Sequence, residues 1–124
     1  RGRPQASARA TPDAYFATGT TRDAIKASAG NLLSVMVSSA EATTQLFFQI
    51  FNAAAAPGNG AIPVWEAWLG SVADAPGNVG SIGQGGVSPA GLRLGTGIGW
   101  AVSTTRGVLS LPVSAQISIS ATYV

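Results

Sequence analysis

The last ten residues, Ala115–Val124 (AQISISATYV), set Ile117, Ile119 and Ala121 against Gln116, Ser118, Ser120 and Thr122 in strict alternation. A two-residue period is the signature of a β-strand with one buried face. The 3.6-residue period of a helix would scatter the same side chains around its whole circumference. Leu32–Ser38 (LLSVMVS) repeats the pattern, with Leu33, Val35 and Val37 on one face and Leu32, Ser34, Met36 and Ser38 on the other. Thr43–Phe51 (TTQLFFQIF) carries apolar groups on both faces, which predicts a central strand covered on both sides. The alanines around that segment favour a helix, but its β-branched and aromatic residues favour a strand more strongly.

Between such runs the chain is punctuated. It has 16 Gly and 7 Pro without a three-residue period, so they act as turns and not as a collagen repeat. Ala29-Gly30-Asn31, Pro57-Gly58-Asn59-Gly60 and Asp74-Ala75-Pro76-Gly77 read as turns, and Gly83–Gly91 as a glycine-rich loop. The remaining strands are expected at Thr21–Ala27, Ile62–Leu69, Asn78–Ile82, Leu92–Leu94 and Gly97–Ser103, with Thr104–Pro112 as a connection. Seven to eight short strands at this spacing predict an all-β, antiparallel β-sandwich of jelly-roll type.

Charge is scarce and unevenly placed. Charged residues make up 10% of 124, against about 25% in a typical domain, while apolar residues at 46% are enough for a core. Five of the seven basic residues (Arg1, Arg3, Arg9, Arg22 and Lys26) lie in the first 26 positions. A surface so poor in charge is poorly suited to a free monomer, so copies of the same chain are expected to cover part of it. Residues 1–21 lack periodicity and read as an extended N-terminal arm, ahead of a sandwich domain at 22–124. Arg1, Arg3, Arg9, Tyr15 and Phe16 are its expected contacts with a partner protein. Three arginines without interleaved aromatics are too few for nucleic acid. No apolar run approaches the ~20 residues of a membrane-spanning helix.

The side-chain inventory narrows the chemistry. With no His and no Cys, neither a Ser-His-Asp or Cys-His centre nor an imidazole or thiolate zinc site can be built. The five acids (Asp13, Asp23, Glu41, Glu66 and Asp74) are dispersed among different predicted elements. Gly95-Thr96-Gly97-Ile98-Gly99 has neither the Rossmann nor the P-loop spacing, so its glycines are read as points of close backbone approach. No cofactor and no enzymatic activity are expected. Trp65 and Trp68 are three apart and must face opposite sides of a strand. An exposed Trp68, with the Gly83–Gly91 loop, would suit a sugar ring or a protein interface; Trp100 is expected inside.

The order of these segments is itself a pattern: an extended strand, glycine turn and alternating strand across Asp23–Leu33, then an aromatic strand at Leu46–Asn52. An Ala/Pro-Gly loop follows at Ala56–Gly60, then Pro63-Val64, Gly91–Val102 and a tail ending in Ala121-Thr122-Tyr123. Over residues 22–123 it resembles small jelly-roll virion proteins of tailed bacteriophages, of the capsid decoration (cement) or head-fibre type. The resemblance implies a place on the capsid exterior, major capsid protein as partner and a homotrimer, and carries over no catalytic residue. A receptor- or glycan-binding module of a spike or tail fibre is the alternative that it implies.

Overall fold

The computed structural model describes residues 12–41, 45–70, 79–82 and 91–124. Nine strands run through them: β1 (Asp13–Thr18), β2 (Arg22–Lys26), β3 (Gly30–Ser39), β4 (Leu46–Asn52), β5 (Trp65–Gly70), β6 (Val79–Ile82), β7 (Leu92–Leu94), β8 (Ile98–Ser103) and β9 (Ile117–Tyr123). One sheet has the order β1-β9-β3-β6, with short β7 also on β3; the other has the order β2-β8-β4-β5. Every pairing is antiparallel.

The pairings are nested: β1 with β9, β2 with β8, β3 with β6, β4 with β5. The chain is one long double ribbon folded over on itself, and the β9–β3 and β8–β4 pairings close the two sheets. That is the jelly-roll order, two sheets joined by Greek-key crossings.

The core lies between the sheets. Leu32, Val35 and Val37 of β3 and Ile117, Ile119 and Ala121 of β9 meet Leu46, Phe48 and Ile50 of β4 and Ile98, Trp100 and Val102 of β8. Phe48 sits at its centre, 6.2 Å edge-on to Trp65 and 6.1 Å from Trp100, centroid to centroid. These are favoured separations for aromatic pairs. As expected, β4 lies between two neighbours and is buried on both faces. Its outer face is closed by the chain itself: Phe51 and Ala101 pack under Leu109, with Ala53, Ala61 and Leu111 around them.

Glycine allows part of that closure. A Cβ on Gly97 would lie 2.7 Å from both the Ala53 carbonyl oxygen and the Ala54 Cα, so the 53–54 backbone rests directly on position 97.

Several boundaries differ from the sequence reading. The expected arm at 1–21 contains β1, which pairs along its whole length with β9, so the sheet begins at Asp13. The exposed–half-buried alternation of β1 is hidden in sequence by its small residues, Ala14 and Ala17. In β3 the expected face is interrupted. A bulge between Leu32 and Ser34 places Leu32 inward together with Val35 and leaves Leu33 half-buried, because one extra residue reverses the side-chain alternation. Gly30 and Asn31, expected as a turn, already pair with β7. Ile62 and Val64 are exposed and precede β5; Pro63 between them has no N–H to offer a ladder. Thr43, Thr44, the Asp74–Gly77 turn and residues 83–90 of the glycine-rich loop lie outside the described residues.

Candidate interaction surface

Of the expected arm contacts, Arg1, Arg3 and Arg9 lie outside the described residues. Tyr15 and Phe16, adjacent on β1, face opposite ways. Tyr15 turns toward the core and spans the open side of the sandwich. Its hydroxyl donates to Asp23 Oδ2 (2.6 Å) on β2 and accepts from the Trp100 indole N–H (3.0 Å) on β8. Burial, then the hydrogen bond to Asp23, push the Tyr15 hydroxyl up to about 12 from its ordinary 10. This hydroxyl is therefore committed within the chain, tying the first sheet to the second.

Phe16 points outward and is 69% exposed. The register builds a surface around it. Across β1, β9 and β3, Phe16 lies beside Ser120 and Ser120 beside Met36. The row on one side is Ala14, Thr122 and Ser34, and the row on the other is Thr18, Ser118 and Ser38. None of these nine outward side chains is charged. Phe16 and Met36, the latter 61% exposed, stand on either side of the small Ser120. Between them lies a shallow depression of ≈ 240 Å³. The described charges all sit elsewhere: Asp13 at the start of β1, Arg22, Asp23 and Lys26 on β2, Glu41 after β3, Glu66 on β5, Arg93 on β7 and Arg106 after β8.

Met36 was absent from the sequence-derived contacts. Its signal was present in the serines around it. Ser34 and Ser38 mark the outward face of β3, and Met36 shares their parity. What the sequence could not show is that Met36 stands in line with Phe16, since that depends on which strands are neighbours.

The second sheet presents a different outer surface. Trp65 packs against the core and Trp68 is 46% exposed, on opposite faces of β5 as expected. The Trp68 indole N–H reaches Gln45 Oε1 at 3.4 Å. Its cross-strand neighbour Phe47 lies under the Arg106 guanidinium, 5.3 Å from the ring centroid, a cation–π contact. Beside it, Glu66 Oε1 accepts from Gln49 Nε2 (2.7 Å) and the Gly107 N–H (2.8 Å), which fastens the segment after β8 onto the sheet. Two other described acids are similarly engaged: Asp23 accepts from Tyr15, and Glu41 accepts from the Gln116 N–H.

The class defined by these features is an all-β jelly-roll sandwich with one self-covered outer face and one outer face that, among the described residues, is uncovered and uncharged. Comparison with family models, curated proteins and solved structures finds no match to this chain.

Proposed function

We propose that this chain is a structural virion protein of a tailed bacteriophage, decorating the outer capsid by binding major capsid protein subunits in a self-associated form. The observation that carries this reading is the bare face of β1, β9 and β3. A charge-free sheet surface with two exposed apolar side chains suits contact with another protein, since this chain need desolvate no charge there. The jelly-roll order is found in capsid proteins and also in lectins and cupins, so it supports the reading only as an analogy of fold. The resemblance of residues 22–123 to decoration proteins supplies the capsid. Arg1, Arg3 and Arg9, just ahead of β1 in sequence, are the contacts we assign to the capsid surface.

Mixing the purified chain with undecorated capsids tests this. Binding only the assembled shell stabilises it by mass action, so the capsids should gain heat resistance. Deleting residues 1–11, which spares β1, should abolish that gain; full binding by the truncated chain removes the arm from the mechanism. A second reading, glycan binding at a spike or fibre, draws on the exposed Trp68 ring. Glycan-array binding that is lost in Trp68→Ala, with no capsid binding, would replace the first.

A further inference from the structure

The geometry points to a second copy of this chain as the occupant of the bare face, in a two-fold pair centred on Ser120. The inference rests on the assembly role above and assigns its apolar face, leaving the arginine segment for the capsid.

Three observations lead there. First, Phe16, Ser120 and Met36 occupy one row on adjacent strands, so at the usual strand spacing the two apolar side chains stand about 10 Å apart with Ser120 midway. A two-fold axis running along β9 above Ser120 exchanges the two flanks. It sets Phe16 of one copy against Met36 of the other, twice, as an isologous contact requires. A thioether against an aromatic ring is a favourable pairing. Second, the depression of ≈ 240 Å³ between Phe16 and Met36 runs along β9 from Ser120 to Ser118 and reaches Ser38, open to the side chains of an opposing copy. Third, the face carries no charge. Groups on a two-fold axis meet their own copies, so a charge there would be opposed by its like; here nothing is repelled and no ion is buried.

Size sets the strength. Three strands by three rows cover roughly 200–300 Å² per copy by strand spacing and rise, well below the ~800 Å² per partner of a stable complex. The pair is therefore weak in dilute solution. It strengthens where copies are held side by side on a shell, because tethering raises their effective concentration.

Sedimentation velocity on the full chain, without capsids, is the test. The wild type should shift from monomer to dimer as its concentration rises toward millimolar. Phe16→Ser and Met36→Ser should remain monomeric, with circular dichroism unchanged as the check on folding. Because Ser120 faces its own copy across the axis, Ser120→Lys and Ser120→Asp should each fail to dimerise alone. Mixed in equal amounts they should form a heterodimer. A wild type that stays monomeric, a trimer indifferent to these substitutions, or no recovery on mixing would overturn the inference. Capsid binding by Ser120→Lys is read separately. If it persists while the wild type proves monomeric in solution, pairing fails and the decoration role stands.

Discussion

The Tyr15 hydroxyl is the sole hydrogen-bond partner of the buried Trp100 indole N–H among the described contacts. Tyr15→Phe keeps the ring and removes the hydroxyl, and with it both the acceptor for Trp100 and the donor to Asp23. A buried N–H left without a partner costs about 1–3 kcal/mol, which urea unfolding should show as a lower midpoint with an unchanged slope. The same group makes stability depend on alkaline pH. Its folded pKa of about 12 lies above the ordinary 10, so the folded state holds the proton more tightly. The stabilisation is therefore complete below pH 10 and is lost as pH rises from about 10 through 12. Absorbance titration should find a tyrosinate step near pH 12 that disappears in Tyr15→Phe; the step surviving in that variant would assign it elsewhere.

At the scale of elements, the segment following β8 acts as a strap across the outer face of the second sheet, and Ser103 is its main anchor. The fully buried Ser103 hydroxyl donates to the Thr105 carbonyl (2.7 Å) and accepts from the N–H groups of Thr105 (3.1 Å) and Ser110 (3.0 Å). Farther along, the Leu111 N–H donates to Asn59 Oδ1 (2.7 Å), and Leu109 pairs through its backbone with Gly60 and Ala61. The strap thereby seals Phe51 and Ala101 beneath Leu109. Ser103→Ala should destabilise by about 1–3 kcal/mol, the cost of unsatisfied buried groups. Hydrogen exchange should speed at Thr105 and Ser110 before it does in β9. Uniform loss of protection would mean that the strap and the sandwich open as one unit. The sequence identified this stretch as a connection; its role as a lid was not legible, because Ser103 ends an apolar strand and its partners follow only when the chain turns back.

At the scale of the whole molecule, charge is segregated. Basic residues cluster early in the chain, while the face over β1, β9 and β3 has none. The two proposed contacts should therefore respond oppositely to salt. Raising ionic strength from about 0.05 to 0.5 M shortens the Debye length severalfold. It should weaken capsid binding through Arg1, Arg3 and Arg9 yet leave pairing through Phe16 and Met36 nearly unchanged. Calorimetry on capsids and sedimentation of the free chain would measure the two separately. Salt-sensitive pairing would place charged residues in that contact.

Local side-chain chemistry was enough to set the class of fold. Alternation in Leu32–Ser38 and Ala115–Val124, aromatic residues on both sides of Leu46–Phe51, and glycine–proline turns together specify short strands with buried faces, and strands of that kind must stack as sheets. The opposed faces of Trp65 and Trp68 and the covered position of β4 followed from the same two-residue period. Tertiary structure alone decided the rest, because pairing acts across the whole length of the chain. Asp13–Thr18 is a strand only because β9 lies beside it. Leu32 is inside only because a bulge reverses the register there, and Phe16 and Met36 form one surface only because β9 separates them by a single serine.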